Sequence, residues 1–178
     1  MTKNNITAYL ITALTGISLS GIAIYFILDE KRVISTEIAK RSQRRKFLFP
    51  IKDGKITSKY GPRIHPITGE IKHHNGVDIG ANEGTPIYSP DDGVVVRVWS
   101  DELNGNAVRI RNDEGFVFGF AHLSKVEVRQ GQRVKKGEVI GRVGRTGLAT
   151  GPHLHFSVFA PITGKDIDPL SLTWEGIT

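Results

Sequence analysis

The pattern of apolar and polar positions divides the chain into three stretches. From Ile6 to Leu28 there are 23 residues without a charged side chain, enough for a helix to cross a bilayer core of roughly 30 Å. Thr7, Thr12, Thr15, Ser18 and Ser20 dilute the run, but hydroxyls in a helix can bond back to their own backbone. Tyr9 and Tyr25-Phe26 lie near its two ends, where interfacial aromatics sit. The run therefore predicts one N-terminal transmembrane helix, an anchor within residues 1–28. A cleaved signal peptide is the alternative, with Lys3 as a thin charged start and Ser18-Leu19-Ser20 or Gly21-Ile22-Ala23 as a small-residue cleavage site. The apolar run continues to Leu28 without pause, which is long for a signal peptide.

Residues 29–46 form a charged linker whose basic cluster at 40–46 could rest on anionic lipid head groups or simply be solvated. From Phe47 the texture changes to short apolar runs broken by Gly, Pro, Asn and Asp, and this sets residues 47–178 apart as the folded domain. Ile56 to Tyr60, Thr85 to Tyr88 and Gly93 to Trp99 read as strands, the last two with Asp91-Asp92-Gly93 as the turn between them. Ala107 to Arg111 alternates apolar and charged residues, the mark of a half-buried strand. Asn112-Asp113-Glu114-Gly115 then turns the chain into Phe116 to Ala121, making a hairpin. Val134 to Gly141 is a further strand-and-turn stretch, and no long amphipathic helix follows the linker. The prediction is an all-β domain built on an antiparallel sheet.

Charge and composition narrow the function. The chain carries a formal +6. Residues 1–46 hold 8 Lys/Arg against 3 Asp/Glu, while residues 47–178 hold 16 against 15. The folded part is nearly neutral, so nucleic acid is not an expected partner. No cysteine is present, which excludes disulfides and thiolate metal sites. Any metal must be held by His and Asp/Glu.

The candidate chemistry lies in three places. His153 and His155 stand two apart at the start of a run rich in β-branched and aromatic residues. In a strand they share one face, roughly 7 Å apart. One imidazole could hold a metal while the other reaches a water bound to it. His74 and Asp78 would be roughly 13 Å apart if fully extended, too far for one ion, but Asn75-Gly76 is a favoured turn pair that lets the chain bend. With one histidine of the His153/His155 pair they make a His, Asp, His set. Three N/O ligands and an open fourth position are the pattern of a catalytic zinc site, where water can reach a pKa of about 7. His122, in Phe120-Ala121-His122-Leu123-Ser124, is suited to proton transfer. Spacing alone does not say which of His153 and His155 binds the metal.

His74-x-x-x-Asp78, Ala121-His122-Leu123-Ser124 and Gly151-Pro152-His153-Leu154-His155-Phe156 resemble the three signature motifs of the lysostaphin-type zinc metallopeptidases of family M23, the LytM-like cell-wall endopeptidases. Gly61-Pro62-Arg63-Ile64-His65-Pro66, Gly76-Val77-Asp78-Ile79 and the glycine-bearing Val143-Gly144-Arg145-Thr146-Gly147 match the framing as well. The resemblance covers about Pro50 to Pro169. It implies one zinc ion per chain held by His74, Asp78 and His155, with His122 and His153 as catalytic histidines. It also implies hydrolysis of the peptide cross-links of bacterial peptidoglycan by a metal-activated water. Many relatives carry Tyr where this chain has Phe120, so a hydroxyl available in them to hold the oxyanion or the substrate is expected to be missing.

A second function class is a non-catalytic member of the same fold that binds or activates other wall hydrolases. Such a protein would be expected to have lost ligands, and none is lost here. Localisation follows from the first stretch: a single-pass, membrane-anchored protein with its peptidase domain facing the wall. The basic flank after Leu28 opposes this, because the positive-inside rule would keep the domain in the cytoplasm. A cleaved signal, an exception to the rule, or the membrane of a lipid-containing virion that must penetrate the wall would each resolve the conflict. Of the remaining candidates, His73 is expected to face solvent and His65 to be a rim or structural residue. Arg63 could meet a substrate carboxylate through its planar fork or form a surface ion pair. Trp99 and the Phe116, Phe118, Phe120 series are expected in the core and on the sheet faces.

Overall fold

The computed structural model describes residues 46–64 and 69–176. The predicted anchor and nearly all of the basic linker lie outside the described residues, as does His65. Among the described residues, no helix is long and apolar enough to cross a membrane.

The described residues form fifteen strands and one short 3-10 helix. The strands are β1 (Phe47–Leu48), β2 (Lys55–Ser58), β3 (Gly61–Ile64), β4 (Ile71–His74) and β5 (Val77–Gly80). They continue with β6 (Pro86–Tyr88), β7 (Gly93–Asp101), β8 (Gly105–Asn112), β9 (Val117–Leu123) and β10 (Lys125–Val126). The last five are β11 (Arg133–Val134), β12 (Val139–Arg142), β13 (His153–Ala160), β14 (Lys165–Ile167) and β15 (Trp174–Glu175), with the 3-10 turn at Pro169–Ser171 before β15. The main sheet runs in the order β11-β7-β8-β9-β13-β5-β2, with β14 also pairing β13. A three-stranded sheet has the order β10-β12-β6, and β3-β4 form a separate hairpin.

The all-β, antiparallel prediction agrees with this architecture, with one parallel exception where β1 pairs β15. The predicted β8–β9 hairpin forms because Asn112 closes its turn. Its side-chain oxygen accepts from the backbone N–H of Glu114 at 3.1 Å and of Phe116 at 2.9 Å. The strands predicted at Thr85–Tyr88 and Gly93–Trp99 both form, but they do not pair with each other. Strand β6 pairs β12 and β7 pairs β8 and β11, so Asp91-Asp92 links two sheets rather than turning one strand onto the next.

Strand β13 shows why the fold can carry a site. Its Leu154, Phe156, Val158 and Ala160 are buried, while His153, His155, Ser157 and Phe159 face the other way, as a period of two requires. Phe156 packs its ring 6.3 Å from Phe118, 5.4 Å from Phe120 and 5.6 Å from Trp174. Phe47 adds edge contacts to Phe116 and Phe118. Aromatic pairs at these distances add about 0.5–1.5 kcal/mol each beyond the area they bury. The ends of the described domain are thereby stitched onto the core beneath the main sheet. Trp99 lies outside this cluster, on a half-buried sheet face between the guanidinium groups of Arg97 and Arg109.

Candidate metal centre

Strand pairing brings the predicted residues together. His155 on β13 lies opposite Asp78 on β5 on one side and opposite Ala121 on β9 on the other. His74 ends β4, which belongs to the separate hairpin, and Asn75-Gly76 carries the chain from there into the main sheet. The bend needs glycine: a Cβ at position 76 would stand 2.4 Å from the carbonyl oxygen of Phe156 and 3.0 Å from the His155 ring. The result is that His74 Nε2 lies 3.1 Å from Asp78 Oδ1, where an extended chain would hold the residues far apart.

Three donor atoms meet. His74 Nε2 is 3.0 Å from His155 Nδ1, and His155 Nδ1 is 3.0 Å from Asp78 Oδ1. This triangle approximates one face of a tetrahedron, since bonds of 2.0–2.1 Å to zinc place ligand atoms about 3.3 Å apart. The His74 tautomer is set from outside, because its Nδ1–H donates to the carbonyl of Lys59 at 2.8 Å, leaving a lone pair on Nε2. His155 turns its Nδ1 inward, so three acceptor atoms converge unless a proton or a cation sits among them. Burial alone would raise the pKa of Asp78. The hydrogen bonds and charge of His155 and His74 outweigh it and hold the carboxyl far below its ordinary value. Two imidazole nitrogens and one ionised carboxylate oxygen, with no sulfur, fit zinc.

The other two histidines stand beside the trio. His122 is buried, and its ring centroid lies 4.7 Å from that of His153 and 6.2 Å from that of His155. Its Nδ1–H donates to the carbonyl of Thr146 and that of His153 to the carbonyl of Gly151, each at 2.8 Å. His153 Nε2 is 3.9 Å from Asp78 Oδ1, so this ring faces the metal position. Burial lowers the His122 pKa below 6.5, helped by the charges of His153 and His155 and opposed by the Thr146 hydrogen bond and by Asp78. Burial therefore favours the neutral form of His122. Its backbone has φ +65°, a left-handed conformation that costs a non-glycine residue about 1–3 kcal/mol. The surroundings impose it: Asn104 O accepts the His122 N–H at 2.8 Å. Gly144 presses in so closely that a Cβ there would lie 2.2 Å from Ser124 N and 2.8 Å from His122 O.

All five histidine and aspartate side chains of the predicted site line one open cleft of about 880 Å³. Its walls come from the β3–β4 hairpin and from loops around Leu103-Asn104 and Leu148 to Pro152. His73 is exposed, packs edge-on to Tyr60 at 4.8 Å and takes no place in the trio. Phe120 is 1% exposed and packs on Phe156. The side chain at this position faces the core rather than the cleft. Arg63 does reach a carboxylate, but that of Asp78, at 2.9 Å.

Several contributors were not visible in the sequence. Lys59 and Gly151 act through backbone carbonyls, which carry no side-chain signal. Thr146 accepts from His122 through its carbonyl while its hydroxyl donates to Leu123 O at 2.9 Å, and only its place in the glycine-bearing loop pointed toward it. Asp101 gathers the N–H groups of Leu103, Asn104 and Trp99 on its carboxylate and so holds the loop that anchors the His122 backbone. An Asp two residues before such contacts is a recognisable turn signal.

Residues 72–169, more than half of the chain, match the model of Peptidase family M23. The chain belongs to this family. The chain is 40% identical over 132 residues to the peptidoglycan DD-endopeptidase ShyC of Vibrio cholerae, covering 73% of this chain and 30% of that protein. It is also similar to the crystal structure of a zinc-containing peptidase from Vibrio cholerae, with TM-score 0.64 and 38% identity over 70% of this chain and 39% of that one. A third likeness is to the catalytic domain of lysostaphin from Staphylococcus simulans, with TM-score 0.60 and 35% identity over 67% of this chain and 91% of that one. The chain spans about 30% of the length of the curated relatives it matches. The residues expected from motif resemblance are thus the ones that the M23 fold gathers at a single point.

Proposed function

We propose that this M23 domain is a zinc-dependent endopeptidase that hydrolyses peptide cross-links of bacterial peptidoglycan. In this reading His74, Asp78 and His155 hold the metal, and His122 and His153 handle protons. The observation that carries it is the meeting of His74 Nε2, Asp78 Oδ1 and His155 Nδ1 within 3.1 Å of one another at the foot of an open cleft. Similarity to a DD-endopeptidase supports a bond between two D-centres as the first substrate to test.

The zinc ion, when bound, supplies a Lewis acid that polarises a carbonyl and lowers the pKa of water. The chain's own residues do the rest. His122 and His153 each spend Nδ1–H on a backbone carbonyl, so each presents Nε2 as the atom free to accept or donate a proton. His122, whose neutral form burial favours, is suited to take a proton from the attacking water. His153, facing the trio, can donate from Nε2 to the carbonyl oxygen as it gains charge when the ring is the imidazolium, since its Nδ1–H stays on the Gly151 carbonyl.

The binding-only alternative is disfavoured by the complete set of five residues. Anchoring by the uncharged run Ile6–Leu28, with the domain on the wall-facing side, is part of the same proposal. The test is release of peptides from purified sacculi by the full chain, with and without a zinc chelator. Chelator-sensitive release, lost in His153→Ala while bound zinc is retained, is the expected result. Absence of release by folded, zinc-loaded protein would overturn the peptidase reading.

A further inference from the structure

We propose that Arg63 is a positioning residue for the metal centre, holding the outer oxygen of Asp78 so that the carboxylate offers the cation one oxygen. The proposal rests on the metal reading above and concerns a residue outside the five assigned there. Asp78 divides its two oxygens between two tasks. Oδ1 lies 3.0 and 3.1 Å from the two imidazole nitrogens, while Oδ2 accepts from Arg63 Nη1 at 2.9 Å. The same Nη1 reaches Ser58 Oγ at 2.6 Å. The guanidinium is therefore itself fixed, and the carboxylate cannot rotate to present both oxygens without breaking that bond.

The placement of Arg63 explains why a tie is needed here. His74 comes from the β3–β4 hairpin and Asp78 from the main sheet, two sheets without shared strand pairing. Arg63 lies on β3, in the same hairpin as His74. Ser58 is the register partner of Asp78 across β2–β5. The Arg63 contacts thus fasten the sheet that delivers one ligand to the sheet that delivers another, and they do so at the ligand. The Arg63 side chain is 27% exposed and that of Asp78 11%, so the pair is more shielded than a surface ion pair, which contributes little.

The test uses the metal-free full chain, titrated with zinc against a chromophoric chelator and, separately, with Co²⁺ followed by its visible spectrum. The variants are Arg63→Met, which removes the charge and donors, and Arg63→Lys, which restores one point charge. Loss of a partner that orients a ligand typically costs 10–100-fold in metal affinity. Arg63→Met is expected to bind zinc about tenfold or more weakly and to change the Co²⁺ spectrum away from the four-coordinate form. Arg63→Lys is expected to recover part of both. Wild-type affinity and an unchanged spectrum in folded Arg63→Met would overturn the proposal, even if its melting temperature fell. Should Arg63→Met not fold, Ser58→Ala loosens the guanidinium while keeping the ion pair. A smaller loss of affinity in the same direction supports the clamp, and no loss overturns it. Failure of the wild-type chain to hold zinc would instead sink the metal reading itself, and the clamp with it.

Discussion

The two faces of β13 carry opposite burdens. Leu154, Phe156, Val158 and Ala160 point into the core, and their loss costs stability. His153 and His155, interleaved with them, face the cleft and place two polar rings beside a buried carboxylate. One face is satisfied by packing alone. The other brings together acceptor atoms that repel one another unless a proton or cation joins them. A single strand with strict alternation can therefore separate the residues that hold the fold from those that do chemistry, although they are adjacent in sequence.

That separation can be broken from either side. His155→Ala should lose zinc and lower activity by about 10³-fold or more, while the metal-free protein melts no lower than wild type. Bound zinc, peptide release and calorimetry together read this out. Phe156→Ala, one residue along, should do the reverse. It should destabilise the domain by about 3–5 kcal/mol, as measured by denaturant unfolding, while the folded fraction keeps its activity per bound zinc. If both variants lost zinc and stability alike, the division between faces would be wrong.

Gly76→Ala sharpens the comparison, because it joins the two faces. The added Cβ meets the Phe156 backbone and the His155 ring at once, and backbone cannot yield cheaply. Overpacking of this kind costs about 1–3 kcal/mol, and it should also part His74 from Asp78, lowering zinc affinity together with melting temperature. The smallest effect is expected at Asp101, on the fully exposed rim. Hydrogen bonds from the Asn104 backbone and side chain, then from Trp99 and Leu103, lower its pKa from 3.8. A lowered folded-state pKa stabilises above the unfolded value and is lost as pH falls through the folded one. Ordering of the Leu103-Asn104 loop should therefore persist above pH 3.8 and fade below it. Amide exchange of the Leu103 and Asn104 N–H groups would show it, and Asp101→Asn should abolish that pH dependence with only a slight loss of activity.

Much of the site was legible because its signals are local. Alternation marked β8, a run rich in β-branched and aromatic residues marked β13, Asn112 to Gly115 marked a hairpin turn, and Asn75-Gly76 marked the bend that lets His74 approach Asp78. The donor types came directly from residue identity. Other features were not legible, because they depend on what lies across the fold. The Asp91-Asp92 turn was legible as a turn between two strands, but that those strands enter different sheets was not. Arg63 offered either a substrate contact or a surface ion pair, and nothing in the sequence pointed to the partner it has in the fold, Asp78, a buried site residue on another sheet.

The sequence by itself determined the all-β class, the near-neutral folded part and the five histidine and aspartate residues that meet in the cleft. These follow from period, composition and motif, properties that each short stretch carries alone. Tertiary structure decided which ring nitrogen each histidine turns toward the cleft. His74 offers Nε2 because a carbonyl at Lys59 takes its Nδ1–H, whereas His155 offers Nδ1. It also decided that Asp78 uses one oxygen toward the imidazoles and the other toward Arg63. Such choices are made by acceptors and cations that arrive from distant parts of the chain, and hydrogen-bond direction exists only once both partners are in place.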